Sequence, residues 1–325
     1  MAEVSAGSVA GWESIVLENG ALRVTVLPEK GADIYSLVDL RTGVDVLFKG
    51  PWGLRPPGAE PLPGSDGDEF MWNYEGGWQE LLPSVNEACT YRGRRIPFHG
   101  EVASLPWRYE PIEGGTAVRL WTRCRQTPFR LERVMRLGEE AELRLEGSVV
   151  NESEEAAHLV WGQHCVVGPP FLERGCRLEA AARTILTSPA LWEPETARLE
   201  PGRQAAWPDA PLRAGGTVDL REVPGPEAGS HDDLYLTDLE AGRLRVTNPR
   251  LPLTFELEWD AELFRYVVLW QPYGGARAAP LTGSYALGVE PWTSRHNLEQ
   301  AIAAGEAIEL EGGGRIDTLV VARLG

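Results

Sequence analysis

Lysine, cysteine and long apolar runs are scarce in this chain of 325 residues, and each shortage narrows what the protein can be. Lysine occurs only at Lys30 and Lys49, and the 31 basic side chains are outnumbered by 48 acidic ones, which gives a net charge of −17. A field of that sign repels nucleic acid and acidic lipid, so neither is an expected partner. Because no run of 18 apolar residues is present, no transmembrane helix is expected either.

The four cysteines are too few and too widely spaced for a disulfide framework or a zinc site. None of them forms a C-x-x-C pair, so free thiols in a reducing compartment are predicted for Cys89, Cys124, Cys165 and Cys176. The first eleven residues lack the basic region and the apolar stretch of a signal peptide. We therefore expect a cytoplasmic protein.

Short β-strand patterns dominate the chain. An Asn19-Gly20 turn between the runs 14–18 and 21–27 is a strong hairpin signal. Similar runs follow at 34–40, 44–48, 117–124, 129–137, 141–150, 157–166, 244–247, 253–259, 266–270, 284–289 and 315–322. The only good helical stretch is 297–304, and residues 50–67 and 189–226 have the composition of loops.

Many short strands, punctuated by 36 glycines and 25 prolines, predict an all-β protein built as a large antiparallel β-sandwich with few short helices. The two loop-like regions do not resemble linkers, because strand patterns of the same kind resume after each. Residues 1–325 are therefore predicted to form a single domain.

Two histidines and one glutamate are the main candidates for acid–base chemistry. His99 stands before Gly100 in a turn, His164 lies near the end of an apolar strand, and Glu290 closes another apolar strand. Histidine is the usual proton carrier near neutral pH, and burial raises the pKa of a carboxyl group towards that range. Each also has a structural interpretation: a turn histidine, a buried histidine bonded to a carbonyl, and a carboxylate that fixes the following loop.

The twelve tryptophans add a second signal, because several stand beside these segments and flat aromatic faces stack on sugar rings. Trp78 and Trp161 are candidates, although core packing is the commoner role of any single tryptophan. The chain has no G-x-S-x-G, Walker or H-E-x-x-H motif. A metal-dependent isomerase with His99, His164 and Glu290 as ligands stays open, but their spacing gives it no support.

Taken in order, five segments resemble the galactose mutarotase-like superfamily, which contains the aldose 1-epimerases. They are residues 76–83 (GGWQELLP), 97–101 (PFHGE), 161–164 (WGQH), 168–172 (GPPFL) and 288–293 (GVEPWT). The resemblance implies a β-supersandwich, a sugar site on one concave face, no cofactor, no metal and a monomer or homodimer. It also implies a cytoplasmic mutarotase that opens and recloses a small-molecule sugar.

The same resemblance implies a role for each matching residue. Glu290 matches the base that takes the proton of the anomeric hydroxyl, and His164 matches the acid that protonates the ring oxygen. By analogy with paired carboxylates around a sugar, we expect the two groups to lie roughly 5–7 Å apart. His99 matches a histidine that holds the sugar. Further substrate-binding candidates are Asp232, with Asp233 as its alternative, Gln271, Arg92 and Arg95.

Two departures from the family pattern bear on the substrate. Sugar-phosphate epimerases of the superfamily tend to carry an arginine where this chain has Ala103, which favours an unphosphorylated sugar. Cys165 follows His164 at a position where galactose mutarotases commonly have proline. The alternatives are a hexose-phosphate epimerase, which the arginines at 92–95 keep open, and a non-catalytic carbohydrate-binding or regulatory protein of the same fold.

Overall fold

The computed structural model of the protein describes residues 2–61 and 69–325. Within them the chain forms mainly β-strands, which we number in chain order. The strands are β1 (Glu3–Val9), β2 (Trp12–Glu18), β3 (Leu22–Leu27), β4 (Asp33–Asp39), β5 (Val44–Asp45), β6 (Trp78–Leu81), β7 (Cys89–Tyr91), β8 (Arg94–Ile96), β9 (Arg108–Ile112), β10 (Ala117–Arg123), β11 (Phe129–Leu137), β12 (Glu142–Asn151), β13 (Ala157–Leu159), β14 (Gly162–Val167), β15 (Arg177–Thr187), β16 (Gln204–Ala206), β17 (Asp209–Pro211), β18 (Thr217–Asp219), β19 (Ser230–Asn248), β20 (Leu253–Glu258), β21 (Tyr266–Tyr273), β22 (Leu287–Trp292), β23 (Ile308–Leu310) and β24 (Arg315–Leu324).

Among the described residues, two short α-helices interrupt the strands, α1 (Glu69–Asn73) and α2 (Leu298–Ala304). Helix α2 begins where the sequence predicts, because the Asn297 side chain accepts a hydrogen bond from the backbone amide of Gln300 and caps the first turn. It ends at Gly305, which adopts the left-handed conformation. Over residues 2–61 and 69–325, no helix has the length and apolar character needed to cross a membrane.

The all-β antiparallel architecture predicted from the sequence is confirmed. Eighteen strands belong to one sheet that curls until it is nearly barrel-shaped, and the strand pairs of the described residues are antiparallel. One run of neighbours is β4–β6–β14–β22–β21–β19. A second run is β20–β24–β12–β11–β10–β9. Strand β19 joins them, because its first half pairs with β21 and its second half with β20.

Most strand patterns of the sequence correspond to strands of the structure, but β1, β6 to β9, β15 and β23 were not predicted. Three further differences concern the predicted runs and loops. The run 157–166 is divided into β13 and β14, and β19 begins at Ser230, well before the predicted 244–247. The loop-like region 189–226 contains the short strands β16, β17 and β18. In the other predicted loop, residues 50–61 form no strand or helix, while residues 62–67 lie outside the described residues. The four cysteines are unpaired, as expected.

Alternation along the central strands divides their side chains between two apolar clusters. Side chains of one parity join the large core: Trp78, Cys165, Leu269 and Val289. Side chains of the other parity join a smaller cluster on the opposite face: Leu81, Val166, Val268 and Trp292. Residues that share the second parity therefore lie on one common face, which holds the candidate site.

Candidate functional site

The candidate site is a row of side chains that crosses five neighbouring strands on this second face. His164 of β14 lies opposite Gln79 of β6. On its other side, β14 pairs with β22 through Gly162–Trp292 and Val166–Gly288, so that His164 stands opposite Glu290. Adjacent strands lie about 4.8 Å apart. The register therefore brings together two residues that are far apart in the sequence.

His164 and Glu290 form a buried pair. Glu290 Oε1 lies 3.8 Å from His164 Nε2, and the two residues are 2% and 7% exposed, respectively. This separation is shorter than the predicted 5–7 Å, because the two side chains project from directly opposite positions on adjacent strands. Burial lowers the pKa of His164 to about 4. Burial, reinforced by the charge of Asp233, raises the pKa of Glu290 well above its ordinary value.

Gln79 determines which nitrogen of His164 faces the glutamate. The Gln79 amide nitrogen donates to the carbonyl of Gly76 at 2.6 Å, so its oxygen is turned towards His164 Nδ1, 3.1 Å away. A carbonyl-type oxygen only accepts, so Nδ1 carries the proton and neutral His164 presents an unprotonated Nε2 to Glu290. Burial therefore favours the neutral form of each partner, His164 with an unprotonated Nε2 and Glu290 with a protonated carboxyl group.

His99 approaches from the loop that follows β8, where it adopts a left-handed conformation (φ 59°). Its Nδ1 accepts a hydrogen bond from the backbone amide of Asn86 at 3.1 Å, so neutral His99 carries its proton on Nε2. The rings of His99 and His164 lie 5.2 Å apart. Burial and the neighbouring His164 lower the pKa of His99 well below its ordinary value. His99 is thus a neutral hydrogen-bond donor beside the pair.

Aromatic rings cover the two histidines. Phe70 of α1 lies 4.8 Å from the His99 ring and 5.5 Å from the His164 ring, and Tyr74 lies 5.4 Å from His164. Trp292 lies 5.9 Å from His99. We call Phe70, Tyr74 and Trp292 the aromatic cover. Tyr74 Oη and Trp292 Nε1 are buried without a hydrogen-bond partner among the described residues, an arrangement that a polar ligand would relieve.

Asp233 and Trp270 extend the site along β19 and β21. They are paired in register and share the face of Glu290. Burial and the nearby charge of Asp232 raise the pKa of Asp233 to about 7. Gly288 leaves room for the glutamate, because a β-carbon there would come 2.3 Å from Glu290 Oε1. Asp233, whose carboxyl group titrates near neutrality, thus lies beside the pair of Glu290 and His164.

The structure does not bring Asp232 and Gln271 to this face. They stand opposite each other in β19 and β21, with the parity of the core residues. Asp232 accepts hydrogen bonds from the amides of Arg198 and Leu199 and from the Arg198 guanidinium, so it anchors a loop. Of the two alternatives that the sequence left open, Asp233 is the one that shares the face of Glu290.

Trp78 and Trp161 also lie away from the candidate site, fully buried in the large core. The Trp78 indole donates to Gln163, and the Trp161 indole donates to Glu80, each at 2.8 Å. Their contacts are those of core residues beneath the sheet, so a flat sugar ring on the second face cannot reach them.

Arg92 and Arg95, the two arginines predicted to bind the substrate, are exposed. Arg92 donates to the carbonyl of Ala156 and lies 3.8 Å from Glu155, and Arg95 is paired with Thr90 in the hairpin of β7 and β8. Neither of these contacts is to the histidine–glutamate pair.

Several residues of the site were not identified from the sequence: Gln79, Phe70, Tyr74 and Asp233 as the preferred aspartate. Alternation supplies a signal for two of them. If Trp78 faces the core, Gln79 must face the site, and the parity of β19 places Asp233 with Tyr235. Phe70 and Tyr74 have no such signal, because they approach the histidines from a separate helix and the residue that follows it.

Comparison with known structures places this fold. A Klebsiella pneumoniae protein provisionally described as an aldose 1-epimerase is 13% identical with a TM-score of 0.73, covering 99% of this chain and 83% of its own. The Slr1438 protein from Synechocystis sp. PCC 6803 is 17% identical with a TM-score of 0.71, covering 98% of both chains. A galactose mutarotase-like protein from Lactobacillus casei is 15% identical with a TM-score of 0.65, covering 96% and 100%. The chain therefore has the galactose mutarotase-like fold.

Within that fold class, the chain belongs to the family described as domain of unknown function DUF4432, which matches residues 9–320. No curated protein sequence matches the chain.

Proposed function

We propose that the protein is an aldose 1-epimerase-like isomerase that interconverts the anomers of an unphosphorylated sugar, with Glu290 as base and His164 as acid. The observation that carries this proposal is the buried contact between Glu290 Oε1 and His164 Nε2 at 3.8 Å, on a face covered by aromatic rings. Mutarotation needs one base and one acid around a hemiacetal and no cofactor, and each proton transfer contributes about 10²- to 10⁴-fold.

The proposed reaction conserves the single proton of the pair. As the sugar enters, the proton moves from Glu290 to Nε2 of His164, so that the carboxylate faces the anomeric hydroxyl and the imidazolium faces the ring oxygen. Glu290 takes the hydroxyl proton, His164 protonates the ring oxygen, and the bond between the anomeric carbon and the ring oxygen breaks. After the carbonyl carbon rotates, the same transfers in reverse close the ring as the other anomer.

The neighbouring residues suit the binding of a neutral polyol. His99 offers a hydrogen-bond donor from Nε2, because Nδ1 is engaged by Asn86. Asp233 offers an acceptor for hydroxyl groups, and the Tyr74 hydroxyl and Trp292 indole are buried groups without a protein partner among the described residues. The flat faces of the aromatic cover favour the apolar face of a sugar ring.

The two alternatives have weaker support. A hexose-phosphate epimerase needs basic groups at the site, but Arg92 contacts Ala156 and Glu155 instead. A protein that only binds carbohydrate does not need the glutamate and the histidine in register. A small-molecule sugar as ligand, a cytoplasmic location and a monomer or homodimer accompany the proposal as further expectations.

NMR exchange between anomers, measured on a panel of free aldoses, tests the proposal. We expect the protein to accelerate the exchange of at least one sugar, and Glu290→Gln to abolish that acceleration without altering the melting temperature by more than a few degrees. Folded wild-type protein that accelerates no sugar, but whose melting temperature rises with one, would identify a binding protein instead.

A further inference from the structure

We infer that His231 is a specificity-determining residue, which donates a hydrogen bond from Nδ1 to one sugar hydroxyl at the end of the site away from Glu290. The inference rests on the proposed function. His231 stands two residues before Asp233 in β19, on the face that carries Glu290, and it is 6% exposed. Trp270 lies between His231 and His164, with its ring 6.0 Å from the His231 ring and 6.5 Å from the His164 ring.

The Trp270 indole fixes the tautomer of His231. An indole nitrogen only donates, and Trp270 Nε1 lies 2.7 Å from His231 Nε2, so Nε2 must be the accepting, unprotonated nitrogen. Burial lowers the pKa of His231 despite the nearby charges of Glu193 and Asp232, so the ring is neutral at pH 7. Its proton is therefore on Nδ1.

That Nδ1–H has no hydrogen-bond partner among the described residues, although it is buried. A buried donor without a partner costs free energy, and folding rarely leaves one without a reason. His231 is one of the residues that line a small cavity, together with Asp232, Asp233, Ser188 and Trp192. The donor is thus available to a group that enters this cavity.

The size and polarity of the cavity match a hydroxyl group. Its volume of about 10 Å³ is that of a single water site, and a hydroxyl oxygen is the size of a water. A hydroxyl both accepts and donates, and the residues that line the cavity include one of each kind of partner, His231 with its Nδ1–H donor and Asp233 with its carboxyl group. A methylene group in the same place would leave both groups unpaired.

The cavity is also connected to the sugar site by aromatic contacts. Trp192, which is 56% exposed, lies 6.2 Å from the Phe98 ring, and Phe98 lies 4.0 Å from His99. A sugar bound against His99 and Glu290 therefore has Trp192 and the His231 cavity at its other end. The water-sized cavity beside His231 is therefore placed to receive one sugar hydroxyl that lies far from Glu290.

Monodeoxy sugars test this inference directly. For the sugar that the protein binds or turns over best, each hydroxyl other than the anomeric one is removed in turn, and affinity and kcat/KM are measured for wild type, His231→Phe and His231→Gln. We expect wild type to reject one monodeoxy sugar by at least about 10²-fold, because sites built to bind a hydroxyl discriminate strongly against its absence. In His231→Phe the discrimination should fall below about threefold. His231→Gln should restore part of it, since its amide can accept from Trp270 and donate to the hydroxyl.

His158→Phe is the matched control, because His158 is a partly exposed histidine of β13 near Glu309. It should keep the wild-type discrimination. Equal discrimination in wild type and His231→Phe, or no discrimination by wild type against any monodeoxy sugar, would overturn the inference, even if anomers are interconverted. If wild type accelerates no anomer exchange but its affinity still discriminates against one monodeoxy sugar in the predicted way, only the proposed function would be overturned. If no sugar binds, both fail.

Discussion

At the scale of the residue, the pKa shifts of the Glu290–His164 pair predict an unusual pH profile. In the proposed reaction the pair acts while it holds one proton, and its acid limb begins only where His164 takes up a second proton. Asp233 beside the pair has a pKa of about 7, so the profile is measured in Asp233→Asn, which removes that carboxyl group. Because burial lowers the pKa of His164 to about 4, kcat/KM of this variant on a neutral sugar should stay level from pH 7 down to about pH 5 and fall below that. Anomer exchange by NMR, corrected for the spontaneous reaction at each pH, measures the profile. A half-loss near pH 6.5, the ordinary pKa of histidine, would show that His164 is not buried as described.

The sequence indicated the two residues of the pair but not the details of their surroundings. Glu290 and His164 were found because each ends or follows an apolar run and matches a family segment. Asp232 was preferred to Asp233 because neighbours in a strand have the same composition signal, and only the register with β21 decides which faces the site. Trp78 and Trp161 were candidates because they stand beside functional segments of the sequence. Both instead belong to the large core, on the other face of the sheet.

At the scale of the element, Gly288 in β22 holds open the space that the Glu290 carboxyl group occupies. In Gly288→Ala, the new β-carbon would lie 2.3 Å from Glu290 Oε1 and 2.9 Å from Trp270 Cβ. We expect kcat/KM to fall at least tenfold, with a loss of about 1–3 kcal/mol in the free energy of unfolding. Anomer exchange and urea unfolding give the two quantities.

Gly76→Ala is the contrasting variant for that test. Its β-carbon would meet the backbone oxygen of Phe48 at 2.1 Å, in a left-handed conformation (φ 100°). A clash with backbone cannot be relieved by a flexible side chain, so this variant should lose more stability than Gly288→Ala. Full activity in Gly288→Ala would contradict the placement of the carboxyl group.

Helix α2 gives a prediction about stability alone. The Asn297 side chain caps the helix through the Gln300 amide, so Asn297→Ala should lower the free energy of unfolding by about 1 kcal/mol. Gln300→Ala, at an exposed position of the same helix, should change it by less than about 0.5 kcal/mol. Urea unfolding of the two variants beside wild type measures both values. Equal losses would mean that the cap is not formed.

The elements that could be predicted are those with a clear apolar period. Alternation identified β10, β11 and β12 within one residue at each end, and the helical stretch 297–304 corresponds to α2. The first half of β19 could not be found, because its Ser-His-Asp-Asp start is polar on both faces, as expected of a strand that carries a site. Strand β14 was merged with β13 because residues 160–161 between them are equally apolar.

At the scale of the whole molecule, the prediction of one domain over residues 1–325 is open to a calorimetric test. Strands from both ends of the chain share the eighteen-stranded sheet, and β12 pairs with β24. We therefore expect one unfolding transition whose calorimetric and van't Hoff enthalpies agree. Two separated transitions would contradict the prediction of a single domain.

If Glu290 and His164 act as one proton-transfer pair, a double-mutant cycle on anomer exchange will reveal their coupling. The rates of wild type, Glu290→Gln, His164→Ala and the double variant are compared on the best aldose. Residues that act as a unit are strongly non-additive, so each single variant should lose about 10²-fold or more and the double variant little beyond that. Independent, additive losses, or single variants that retain the wild-type rate, would show that the two residues do not act as a pair.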